Sequence, residues 1–206
     1  MKKTIIFGLI IVLATVLIDQ ITKALMVSIL VEEGNFIVVI PEFFKLKLHY
    51  NTGAAFSSFD GNFPFLMIMT VVATIVFIFM AKYADFKSKK FYSWGIYLMI
   101  GGMIGNFIDR VFNYGEGVVD FLAFTFFKTY DFAVFNMADT FLVIGVICIM
   151  IDILFFEAKR EKKVIITGVT REAADEAFAT YAKSDAQSAK ITADIELQCA
   201  KIREKY

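Results

Sequence analysis

Four apolar runs limit what this chain can fold into: Thr4 to Met26, Phe63 to Ala81, Phe91 to Ile108 and Ala138 to Phe156. A bilayer core of roughly 30 Å takes about 20 mostly apolar residues in a helix, so each run is long enough to cross one. The remaining sequence has little to build a soluble core from. With 58% of residues apolar and a mean hydropathy of +0.66, the chain exceeds the roughly 45–50% of ordinary soluble domains. The 21 Lys and Arg balance the 21 Asp and Glu, which argues against a nucleic-acid partner. Two Cys and a single His supply neither a four-ligand zinc site nor a disulfide framework, and no cofactor or metal is expected. The first run follows Lys2-Lys3 as a signal peptide would. It lacks a small-x-small cleavage site or a lipobox Cys and continues past Asp19 and Lys23, so it reads as an uncleaved span.

Positive charge sets the orientation. Lys2 and Lys3 precede the first span, Lys82, Lys87, Lys89 and Lys90 join the second to the third, and Lys159, Arg160, Lys162 and Lys163 follow the fourth. Both termini are expected in the cytoplasm, with the two longer connections outside. In the first of these, Phe36 to Phe56, Lys45, Lys47 and His49 alternate with Phe44, Leu46 and Leu48. A period of two predicts a strand or hairpin on the membrane surface. The second, Val111 to Met137, reads as interfacial structure with an aromatic belt. Beyond Lys163 the chain turns Ala-rich and charged, and Ile191, Ile195, Ile202 and Tyr206 recur at helical spacing. Two domains are expected: a four-span membrane domain, 1–163, and a cytoplasmic helical extension, 164–206.

Ionisable groups gather at one depth. Asp19 and Lys23 lie toward the outer end of the first span, Asn106, Asp109 and Arg110 close the third, and Asn136 and Asp139 open the fourth. A charge at the centre of a spanning helix costs about 2.5–3.5 kcal/mol on insertion scales, so such a cluster needs pairing, hydration or a function. Plainer readings exist. Asp19 and Lys23, four apart, pair with each other; Asp109 and Arg110 form a helix-end pair reaching headgroups; Asn136 or Asp139 caps the fourth helix. Asp120, within Val-Val-Asp-Phe-Leu, has no partner nearby in sequence. Asp152 lies at the cytoplasmic end, beside Lys159 or headgroups. Gly101, Gly102 and Gly105 offer a small-residue face for close helix packing. Cys148 and Cys199 are too differently placed to pair, and His49 reads as an interfacial polar residue.

The strongest nucleophile generator here is a carboxylate pair, in which an ionised member takes a proton from water while a protonated one polarises a carbonyl. Ser57 with Lys23 as its base is a weaker alternative. Non-peptidase readings are a small transporter or channel subunit with ion-binding carboxylates, and a non-catalytic assembly factor. A prepilin-type aspartic peptidase would place its aspartates toward the cytoplasm.

Asp19-Gln20-Ile21-Thr22-Lys23, Asn51-Thr52-Gly53-Ala54-Ala55-Phe56-Ser57, Gly101 through Gly105-Asn106-Phe107-Ile108-Asp109-Arg110, Val118-Val119-Asp120-Phe121 and Phe135-Asn136-Met137-Ala138-Asp139 resemble, in order and spacing, the motif set of lipoprotein signal peptidase (signal peptidase II). The resemblance spans residues 1–160. It implies a mainly α, four-helix membrane aspartic peptidase with a small extracytoplasmic β-rich cradle, cutting diacylglyceryl-modified prolipoproteins before the lipidated Cys. By motif position, Asp120 and Asp139 would be the catalytic dyad. Asn51, Gly53, Asn106, Arg110 and Asn136 would line the site, with Asp19, Lys23 and Asp109 in support. The Phe36–Phe56 segment would form the cradle and Val111–Met137 a mobile periplasm-side helix. The expected partners are prolipoprotein signal peptides, membrane lipid and the cyclic peptide inhibitor globomycin; a monomer in the bacterial cytoplasmic membrane is expected. The Arg110–Val118 segment is longer than usual for the family, which leaves open which glycine makes its turn.

Overall fold

The computed structural model describes residues 2–53, 62–113, 116–126, 130–160 and 199–203. Among these residues four helices are long and apolar enough to cross a membrane: α1 (Lys2–Leu30), α2 (Phe63–Met80), α3 (Lys90–Phe112) and α4 (Met137–Ile151). A 3-10 turn at Ala81–Tyr83 extends α2, and a π-helical turn at Asp152–Glu157 follows α4. Strands β1 (Phe36–Ile40), β2 (Phe44–Asn51), β3 (Val118–Phe126) and the two-residue β4 (Tyr130–Asp131) form an antiparallel sheet in that order. The chain is thus a mainly helical membrane protein with a small sheet. It divides into two compact units, Met1–Asp152 and Ile153–Tyr206. Of the second, Ile153–Arg160 and Cys199–Arg203 are helical; the rest of the expected cytoplasmic extension lies outside the described residues.

In the first unit α3 is the central post, packing against α1, α2 and α4. Its glycines explain why. A Cβ at Gly101 would lie 2.7 Å from Thr15 on α1, at Gly102 2.6 Å from the Ala138 carbonyl of α4, and at Gly105 2.6 Å from Asp19 Oδ2. The predicted small-residue face therefore sits between two neighbours. Lipid offers helices no hydrophobic drive to associate, so close backbone approach and interhelical hydrogen bonds hold the bundle. The other three spans present Leu, Ile, Val and Phe outward, as lipid-facing helices do.

The predicted hairpin is β1–β2, with Phe36 opposite Lys47 and Val38 opposite Lys45. Leu48, Val119 and Phe121 are buried against Met26 and Leu30, which seats the sheet on the C-terminal end of α1. The Val111–Met137 segment is a correction: it is the last turn of α3 followed by strand β3, not a periplasm-side helix. Val118, Val119, Asp120 and Phe121 are all buried, so β3 lacks the one-sided alternation that marks a surface strand. Its place is fixed by pairing with β2, which sets Asp120 opposite His49 and Val118 opposite Asn51. The turn into β3 is made at Gly117, whose φ of +109° suits glycine and whose Cβ would fall 2.5 Å from the Asn51 carbonyl.

Candidate active site

Asp19 and Lys23 stand one turn apart on α1 and pair at 2.8 Å, but not with each other alone. Lys23 Nζ also reaches Asp109 Oδ2 on α3 at 2.9 Å and donates to Asn106 Oδ1 at 3.0 Å. An ammonium has three donors and no acceptor, so these partners saturate it. Asp19 is 0%, Lys23 3% and Asp109 4% exposed, a burial that only a paired and fully bonded cluster sustains. Asp109 Oδ2 also accepts the backbone N–H of Val119 at 3.0 Å, and Asp19 Oδ1 that of Ala138 at 2.8 Å. The cluster thus ties α1 and α3 to β3 and to the start of α4. A helix-end pair between Asp109 and Arg110 does not form. The two lie side by side in sequence, yet Asp109 turns inward to Lys23, and no described carboxylate is within ion-pairing distance of Arg110.

Asp120 on β3 and Asp139 in the first turn of α4 meet a shared set of asparagines. Asn51 Nδ2 donates to Asp120 Oδ2 at 3.0 Å, and Asn136 Nδ2 to Asp120 Oδ1 at 2.6 Å. Asn106 Nδ2 donates to Asp139 Oδ1 at 2.7 Å. Asn136 is the N-cap of α4, its oxygen accepting the Asp139 N–H at 2.9 Å, while its own backbone N–H donates to Asp139 Oδ2 at 3.2 Å. The two residues form a reciprocal capping box. Capping and site construction are therefore the same act, and Asp120, without a partner nearby in sequence, takes both its partners from elsewhere in the chain.

Burial drives the Asp120 carboxyl up to about 7, with the charge of Asp139 adding to the rise and the amides of Asn51 and Asn136 opposing it. A carboxylic acid titrating there can hold a proton at neutral pH and release it in a reaction.

Asp120 and Asp139 line a cleft of about 940 Å³ with Asn51, Gly53, Asn106 and Arg110. Arg110 donates to the carbonyls of Gly53 at 3.3 Å and Asn106 at 3.5 Å, bracing the end of β2 against α3. Thr70 of α2, Met103 of α3 and Leu142, Val143 and Ile144 of α4 also line the cleft, as do alternate β2 residues, Lys47, His49 and Asn51. His49 is partly exposed and lies 3.1 Å from Glu33. Ser57 lies outside the described residues, and Lys23 is committed to its carboxylates. Asp152 is buried, 3% exposed. Cys148 and Cys199 are unpaired with each other.

Sequence reasoning missed Gln20, whose Nε2 lies 3.1 Å from Asp19 Oδ2, 2.9 Å from Asp109 Oδ1 and 3.2 Å from the Gly105 carbonyl. It also missed Thr15, buried against Gly101. Both roles arise only when α3 is set beside α1.

A family model described as signal peptidase (SPase) II matches residues 11–155. The lipoprotein signal peptidase of Staphylococcus haemolyticus (strain JCSC1435) is 41% identical over 154 residues, covering 74% of this chain and 94% of that protein. That of Listeria monocytogenes serotype 4b (strain CLIP80459) is 39% identical over 150 residues, covering 72% and 94%. A bacterial membrane enzyme solved by the in meso method at 2.3 Å superposes with a TM-score of 0.63 at 36% identity, covering 72% of this chain and 87% of that one. A second, solved at 1.9 Å, gives 0.62 at 36% identity, covering 72% and 93%. With the family model matching well over half its length, the chain belongs to the signal peptidase II family of membrane aspartic peptidases, which process the signal peptides of lipoproteins.

Proposed function

We propose that Asp120 and Asp139 are the catalytic dyad and cleave diacylglyceryl-modified prolipoproteins immediately before the lipidated Cys. The observation that carries this reading is the common asparagine network, which joins two carboxylates from different elements inside one cleft. An ionised carboxylate takes a proton from the attacking water, and the partner's proton polarises the scissile carbonyl. Asp120, titrating near neutrality, is the group suited to hold that shared proton. Asp139 accepts N–H bonds on both oxygens, an arrangement that fits a carboxylate receiving the proton of water. On collapse of the tetrahedral intermediate, a proton passes to the leaving amine of the Cys. Asn51, Asn106 and Arg110, which line the cleft, orient the carboxylates and the substrate backbone, with Gly53 at the cleft wall; Asn136, fully buried behind it, orients the carboxylates alone.

The apolar lining that α2, α3 and α4 give the cleft suits a signal peptide that stays in the bilayer while its diacylglyceryl chains remain in lipid. The modified Cys then sits at headgroup depth. In this reading the protein is a monomer in the bacterial cytoplasmic membrane, with both termini inside and the dyad at the extracytoplasmic surface. Support comes from Lys82, Lys87, Lys89 and Lys90, which lie at the α2–α3 connection, the end of these spans away from Asn106 and Arg110. The test compares purified protein on lipidated and unlipidated forms of one precursor, with and without globomycin. Cleavage of the lipidated form alone, blocked by globomycin, is the expected result; equal cleavage of both forms overturns the lipid requirement, and cleavage of neither overturns the reading.

A further inference from the structure

Lys23 bears on the chemistry through an amide. Asn106 presents Oδ1 to Lys23 Nζ at 3.0 Å and to Asn136 Nδ2 at 3.0 Å, and Nδ2 to Asp139 Oδ1 at 2.7 Å. An asparagine side chain can turn over, exchanging oxygen for nitrogen with little change in shape. Turned over here, it would set an NH2 against the ammonium and an oxygen against the Asp139 carboxylate. The second of those conflicts disappears once Asp139 is protonated, because the acid could then donate to Asn106. The first does not, because the ammonium held by Asp19 and Asp109 has no lone pair with which to accept an N–H.

The remaining neighbour is a weaker guide. Asn136 has two N–H hydrogens for three acceptors: Asp120 Oδ1 at 2.6 Å, Asn106 Oδ1 at 3.0 Å and the Val119 carbonyl at 3.3 Å. It can satisfy Asp120 and Val119 and release Asn106. The other asparagines of the site are fixed by the backbone, Asn51 by the Gly53 N–H at 3.0 Å and Asn136 by the Asp139 N–H at 2.9 Å. Asn106 has no backbone N–H on its oxygen among the described residues, and Lys23 takes that place.

We infer that Lys23 is a positioning residue that locks Asn106 in the orientation donating to Asp139, and so keeps Asp139 in the role of proton acceptor. The ion cluster with Asp19 and Asp109 holds the ammonium in place; the lock is its bond to Asn106. This inference rests on the dyad reading above. Without the lock, Asn106 can turn its oxygen to Asp139, which favours the protonated acid. The acid limb of activity then moves to higher pH, because a more basic group needs a higher pH to ionise.

Removing the lysine also removes a positive charge, which alone would move the limb the same way. The two causes separate in the double variant Asp19→Asn/Lys23→Met. It keeps the net charge of the Asp19–Lys23–Asp109 cluster and retains an oxygen to accept from the Ala138 N–H, but has no ammonium for Asn106. The experiment measures the pH dependence of kcat/KM on a lipidated precursor, with KM, kcat and thermal midpoint, for the wild type, Lys23→Met, the double variant and Asn106→Leu. The last removes the donor to Asp139 and leaves the ion cluster intact, so it tests the lock even where a lysine variant folds poorly. The expected result is a kcat lowered about tenfold or more and an acid limb raised by about one pH unit in all three variants, with KM little changed. A wild-type profile in the double variant or in Asn106→Leu overturns the lock, as does a fall in thermal midpoint with no movement of the limb. Failure of the wild type to cleave the lipidated precursor overturns the dyad reading instead.

Discussion

Asn136 donates to Asp120 at 2.6 Å with the same side chain whose oxygen caps the helix bearing Asp139. The start of β3 and the first turn of α4 are therefore tied through one side chain. Helix capping is commonly a matter of stability alone; in this position it also sets the relation between two carboxylates from separate elements.

Replacing Asn136 should expose both roles. Asn136→Ala removes the cap and the donor to Asp120, and is expected to cost about 1–2 kcal/mol of stability and at least about 100-fold in cleavage rate. Asn136→Ser restores a capping oxygen without an amide to reach Asp120. Thermal unfolding in detergent should show recovery for Ser over Ala while the cleavage assay shows none; equal recovery of both would show that the capping oxygen alone suffices and overturn the role of the Asn136 amide.

Asp120→Asn and Asp139→Asn should each insert and fold as the wild type does, with cleavage reduced by about 10³-fold or more. The stability of Asp120→Asn against pH should differ from the wild type in a defined direction. Asp120 has its pKa raised from 3.8 to about 7 by burial and by Asp139, so between these pH values the folded protein binds the proton more tightly than the unfolded chain. The stability this group contributes is fully present below about pH 4 and is lost as pH rises through 7, by an amount bounded on the order of 4 kcal/mol. Asp120→Asn does not titrate. Its thermal midpoint relative to the wild type should therefore rise between pH 5 and pH 8, and a flat difference would place the raised pKa elsewhere.

Gly102→Ala puts a methyl group 2.6 Å from the Ala138 carbonyl, against backbone that cannot swing aside. Separation of α3 from α4 should cost about 1–3 kcal/mol and displace Asn106 from Asp139. Both the thermal midpoint and kcat should fall; a variant with wild-type values would show that the helices have room to spare.

Truncation after Lys163 should leave cleavage of a lipidated precursor within about twofold of the full chain, since every residue proposed for the site lies in 1–163. This is measured at equal membrane insertion, checked by immunoblot of the membrane fraction. A truncated protein that inserts normally and does not turn over would bring the tail into the mechanism.

The spans were legible because lipid demands length and hydropathy that nothing else in the sequence imitates, and the β1–β2 hairpin because Lys45, Lys47 and His49 alternate with apolar neighbours. Strand β3 was not. With Val118 through Phe121 buried, its pattern has no polar face, and the family resemblance supplied a helix instead; the run of β-branched and aromatic residues was the available signal. Asp120, Asp139 and the asparagines stood out as polar residues in apolar surroundings, and the structure gathers them around one cleft. Gln20 and the turning of Asp109 away from Arg110 were beyond sequence reading, because both follow from the closeness that Gly101 and Gly105 allow between α1 and α3.

The spacing of Asp19 and Lys23 also bears on how the protein is made. A first span leaves the ribosome long before the third exists, and for that interval a lone buried charge would have no partner in the bilayer. One helical turn between acid and base lets α1 enter as a self-neutralised unit. When α3 arrives, Asp109 joins a pair already formed, and the cluster changes from a passport for insertion into the anchor of the finished site.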